Sequence, residues 1–66
     1  MNIIFNGEPR TVELRTTVAE LLAALPVPPR HVAVEVNLDV VPRERHGEHE
    51  LNDGDRVEVV TLVGGG

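Results

Sequence analysis

The sequence predicts an α+β domain in which a mixed β-sheet rolls around one short helix. Three observations predict it. Apolar residues alternate at period two in segments near both ends and in the middle of the chain. One segment alone carries the 3.6-residue period of an amphipathic helix. The two most apolar strands are the first and the last, which places them in the middle of the sheet with a hairpin on either side. At 66 residues the chain holds a single domain, residues 1–66, near the lower size limit for an independent core.

Each element has its own signature. "MNIIFNGEPRTVEL" reads as a hairpin: Ile3 and Phe5 alternate with Asn2 and Ile4, Asn6-Gly7 can take positive φ, and Val12 and Leu14 resume the alternation. In "TVAELLAAL", Thr17 and Glu20 form a capping-box pair. Val18, Leu21, Leu22 and Leu25 then make one apolar helical face, predicting a helix over about 18–25. Pro26 ends it, and "PVPPR" predicts a stiff, extended linker. "HVAVEVN" alternates as a strand; Asn37 to Asp39 turn the chain; "VVP" is a short strand stopped by Pro42. "RERHGEHE" reads as a polar, irregular segment anchored by Leu51, and "NDGD" as a turn into the last strand, "RVEVVTLV". There Val57, Val59, Thr61 and Val63 share the face expected to meet the helix.

Composition narrows the function. There is no cysteine, which rules out a disulfide, a thiolate metal site and a thiol nucleophile. The net charge is −5, with arginine but no lysine and one aromatic residue, Phe5. Such a chain lacks the residues for phosphate neutralisation and base stacking, so no nucleic acid is expected as partner. No apolar run is long enough to span a membrane, and no basic region precedes an apolar stretch at the start, so a cytoplasmic location is expected. A basic protein surface is the natural complement.

The chain ends in "VGGG". Glycine loses the most conformational freedom on ordering, so three in succession do not fold into the body of a domain; residues 64–66 read as a flexible tail. No nucleophile elbow, phosphate-binding glycine loop or catalytic carboxylate pair occurs, and the chain does not read as an enzyme. His46, Glu48 and His49 lie close together, but their spacing matches no closed zinc site and Gly47 opposes a helix that would aim both rings. They read as a solvated loop, and His31 as a surface residue. No metal site is expected.

"FNGE" in the first turn, "TVAELL" opening the helix, "VNLDVVPRE" in the middle, "LNDGD" before the last strand and terminal "VGGG" follow one another in an order that resembles the ThiS family. These are bacterial sulfur carriers of thiamine biosynthesis with the ubiquitin-like β-grasp fold. The molybdopterin-synthase small subunits share fold and tail but are commonly longer and lack the "VPRE" stretch. The resemblance implies that a partner, an adenylating (E1-like, ThiF-type) enzyme, joins the Gly66 carboxylate to AMP using ATP and Mg. It implies that sulfur from a sulfur-donating protein then replaces AMP, and that the thiocarboxylate serves a thiazole synthase of the ThiG type. No cofactor is expected on the chain itself. Arg43 and Glu44 match the family, and either a helical turn or a partner contact accounts for them.

Elementary chemistry fits that implication. A carboxylate resists nucleophiles until it is joined to a good leaving group, and a chain without Cys or Lys offers no thiol or side-chain amine to attack the activated carbonyl. At roughly 3.3–3.6 Å per residue, Val63 to Gly66 extend about 12 Å. Gly64 and Gly65, with no Cβ, suit threading of a narrow channel. Ile4, Val60 and Leu62 would lie on the sheet face away from the helix, an apolar patch placed to dock the activating enzyme. Two other uses of the same carboxylate stay open: sulfur transfer in molybdopterin or tRNA thiolation, and amide linkage of Gly66 to other proteins, as in a ubiquitin-like modifier. A plain binding module with an inert tail is the third reading.

Overall fold

A computed structural model describes residues 1–26 and 31–62. Its first hairpin joins β1 (Asn2–Phe5) to β2 (Glu8–Thr11) around Asn6 and Gly7, whose φ values of 48° and 84° are both left-handed. The second joins β3 (Val32–Val36) to β4 (Asp39–Val41) around Asn37 and Leu38, at φ 52° and 73°. The last strand, β5 (Arg56–Thr61), enters between the hairpins, parallel to β1 and antiparallel to β3. The sheet order is β2-β1-β5-β3-β4, so the strands from the two ends of the chain lie side by side inside the sheet, β5 at its centre.

The helix α1 (Val18–Ala23) packs on one face of this sheet. Its capping box is formed: the Glu20 amide donates to the Thr17 hydroxyl at 3.1 Å and the Thr17 amide to the Glu20 carboxylate at 2.9 Å. The amides of Val18 and Ala19 donate to the carbonyls of His49 and His46. Ile3, Val18, Leu21, Leu22, Val32, Val34, Val36, Val41, Leu51 and Val57 form the core, and Phe5, Leu25 and Val59 pack half-buried against it.

Three expectations are corrected. The strand expected to run to Leu14 stops at Thr11, and Leu14 is 77% exposed. The chain must turn there to reach the Thr17 cap, through a tight bend with Arg15 at φ 66° and the Thr16 hydroxyl donating to the Glu13 carbonyl at 2.7 Å. The helix ends at Ala23, because Ala24 and Leu25 donate to the carbonyls three residues back and tighten the last turn before Pro26. "RERHGEHE" is neither irregular nor wholly solvated: Arg43–Arg45 form a 3-10 helix, and His46 is only 6% exposed, its Nε2 donating to the Val41 carbonyl at 2.9 Å. His31 is on the surface, as expected. The linker expectation for residues 27–30 and the placement of Val63 lie outside the described residues.

Candidate functional site

The candidate site is the end of β5, from which the chain passes toward its terminal glycines. A network at the opposite end holds this strand in place. Asp55, buried, accepts from the Asn52 amide at 2.7 Å and from Asn37 Nδ2 at 3.0 Å. Asn37 also exchanges two hydrogen bonds with the Arg56 main chain: its amide donates to the Arg56 carbonyl at 2.8 Å, and its Oδ1 accepts from the Arg56 amide at 3.0 Å. On the other side, Asn2 donates its amide to Asp53 Oδ1 at 2.7 Å and accepts from the Gly54 amide at 2.7 Å, with Gly54 at φ 87°. The "NDGD" turn thereby fixes where β5 begins relative to both neighbours.

From there the strand alternates. Val57 is fully buried and Val59 half-buried on the helix side, whereas Val60 is 59% and Leu62 51% exposed. Ile4, half-buried, is in register with Arg56, four residues before Val60 on β5. Ile4, Val60 and Leu62 are therefore on one face, but Arg56 and Glu58 come between the first and the other two. Ala33 is the cross-strand neighbour of Val60, and Glu35 stands directly opposite Glu58. The ion pair of Arg45 with Glu48, at 3.7 Å, lies on the surface and involves neither Glu35 nor Glu58.

The sequence presents Asn6 only as a turn residue. Its side-chain amide reaches Val59 instead: Oδ1 accepts from the Val59 amide at 2.7 Å and Nδ2 donates to the Val59 carbonyl at 3.2 Å. No local signal marks this contact, since the partners are 53 positions apart. Gly64, Gly65 and Gly66, the residues expected to thread and to be activated, lie outside the described residues. Among the described residues no group of three or more His, Cys, Asp or Glu side chains could hold a metal ion, and no helix is long and apolar enough to cross a membrane.

A model of the ThiS family matches residues 3–66, nearly the whole chain. The chain belongs to the ThiS family. Among its relatives, the sulfur carrier protein ThiS of Escherichia coli is 33% identical over 66 residues, covering all of both chains. The crystal structure of the thiamine biosynthesis protein (ThiS) of Geobacter metallireducens matches with a TM-score of 0.83 at 40% identity, again over both chains in full, and so carries the same β-grasp fold. A thiazole synthase of Paramagnetospirillum magneticum is 44% identical over 66 residues; the chain spans only 20% of that protein's length, and the same share of a second thiazole synthase, from Magnetococcus marinus, at 46% identity.

Proposed function

We propose that this ThiS-family chain carries sulfur for thiazole formation as a thiocarboxylate at Gly66. A carboxylate oxygen of Gly66 attacks the α-phosphorus of ATP on an E1-like, ThiF-type enzyme, and pyrophosphate leaves with Mg. Sulfur at the oxidation level of sulfide, delivered by a sulfur-donating protein, then attacks the acyl carbon and AMP leaves. The thiocarboxylate sulfur, an ionised nucleophile, passes to a ThiG-type thiazole synthase. The chain itself supplies the carboxylate, the reach of Gly64 and Gly65, and a docking face made by Ile4, Val60 and Leu62, and performs no catalysis.

The observation that carries this reading is the end-to-end alignment with the E. coli protein named sulfur carrier protein ThiS. The thiazole synthases with a matching 66-residue stretch support the encounter with a synthase, because in those proteins the two parts share one polypeptide. The fold adds a physical reason. The strand leading to the glycines is the central one and stays paired with β3 as far as Thr61, so the ordering cost on docking falls on few residues.

The test is intact-mass analysis after incubation with the activating enzyme, ATP and a sulfur source. The expected product is heavier by the difference between sulfur and oxygen. Oxidation of Met1 adds nearly the same mass, so cleavage after Arg56 must place the gain on the fragment Val57 to Gly66. Deleting Gly66 should abolish the gain. A fragment found in amide linkage to lysines of other proteins would replace the carrier reading with a modifier, and a fragment that never changes would end both.

A further inference from the structure

We infer that Asn6 is a positioning residue for the C-terminal tail: its side chain stands in for a missing β-strand and sets the direction in which β5 releases the chain. The inference rests on the carrier reading for its consequence, but the geometry stands apart from it.

The odd-numbered residues of β5 turn their main-chain groups toward β1. The Ile4 amide donates to the Asp55 carbonyl at 2.9 Å and the Asn6 amide to the Val57 carbonyl at 2.8 Å. The even-numbered ones turn toward β3, where the Asn37 amide donates to the Arg56 carbonyl and the Leu62 amide to the His31 carbonyl at 2.7 Å. β1 ends at Phe5 and the chain departs through the Asn6-Gly7 turn, so β5 outruns its parallel neighbour. Val59 would then meet solvent on that side. The carboxamide of Asn6 offers a carbonyl acceptor and an NH2 donor, the same two functions as a peptide unit, and both engage Val59. The ladder thereby gains one more step on the β1 side, two residues short of Thr61.

This places a side-chain clamp at Val59, on the β1 side of β5, and a main-chain contact at Leu62, on the β3 side just past its end. With both in place, the end of β5 is held from two sides, at Val59 and at Leu62. Without Asn6, the end of β5 hangs from β3 alone and can twist about that edge. The tail would then sweep a wider cone, and the added freedom must be lost again on entry to an activating enzyme. That loss acts on encounter with the enzyme and leaves the chemical step, once the tail is seated, unaltered.

The variants must keep the turn, because Asn6 has a positive φ that most residues resist. Asn6→Gly keeps that conformation and removes the clamp. Asn6→Asp tolerates it as well and keeps the acceptor for the Val59 amide. Backbone 15N relaxation of the free protein gives the first readout. In Asn6→Gly the order parameters of Thr61 and Leu62 should fall from about 0.85 toward about 0.6 or lower while Val34 stays unchanged. Initial rates of ATP–pyrophosphate exchange with the ThiF-type enzyme give the second. KM for the carrier should rise about tenfold, the scale of one more backbone residue to order, with kcat within about twofold of the parent. Asn6→Asp should recover part of the KM.

Unchanged order parameters at Thr61 and Leu62 in Asn6→Gly would overturn the inference. So would a drop shared by Val34, which would reveal a fold-wide effect, or an unchanged KM despite a loosened strand. If the parent itself gives no ATP-dependent exchange, the carrier reading fails, and the clamp stands or falls on the relaxation data alone.

Discussion

Replacing Leu22 by Ala should remove a large part of the stability of this domain. Leu22 is 1% exposed and packs within the cluster that contains Ile3, Val34 and Val57, one from each of three adjacent strands. A hydrogen-bonded sheet cannot collapse into the space a leucine leaves, which points to the upper part of the usual range of roughly 2–5 kcal/mol for Leu→Ala. Alanine is the better helix former, so none of the cost arises from α1 itself. At roughly 0.05–0.15 kcal/mol per residue, a domain of 66 residues has about 3–10 kcal/mol in total. The variant should therefore be partly unfolded at room temperature or close to it. The chain has no Trp and no Tyr, so the assay is urea titration followed by far-UV circular dichroism. Leu14→Ala is the paired control: the same chemical change at an exposed position should cost within about 0.5 kcal/mol. Equal costs at the two positions would refute the assignment of the helix face.

Thr17→Ala removes the hydroxyl that caps α1 and should lower stability by about 0.5–2 kcal/mol in the same titration. Leu38→Gly should raise the melting temperature: leucine at φ 73° costs roughly 1–2 kcal/mol, more than the entropy glycine restores to the unfolded chain. Glu58→Gln removes one of two carboxylates that face each other across β3 and β5, and should stabilise by about 0.2–1 kcal/mol at low salt. That gain should shrink in 1 M salt, where the Debye length is about 3 Å. Val60→Asp, on the exposed face, should leave the melting curve nearly unchanged while weakening capture by the activating enzyme in a pull-down; a loss of folding instead would mean that Val60 is structural.

The sequence by itself determined the number and kind of elements, because period-two and period-3.6 patterns, the capping box and the Asn-Gly and Asp-Gly turns are local signals. It also pointed to interior places for β1 and β5, since each carries apolar residues on both faces, and it displayed the glycine tail that singles out Gly66. Where the elements stop was decided by tertiary geometry. Leu14 continues the alternation in the sequence, yet the chain has to bend at Arg15 to deliver Thr17 to its cap, and the leucine is left in solvent. His46 sits in a polar run that reads as solvated, yet the fold lays it against Val41, whose carbonyl meets its ring, while its own carbonyl meets the Ala19 amide of the helix. The separation of Ile4 from Val60 by Arg56 and Glu58 follows from the parallel register of β1 on β5, which no alternation pattern encodes. Asn6 is the clearest case: its positive φ is written in "NG", but its partner Val59 comes within reach only once the two ends of the chain lie side by side.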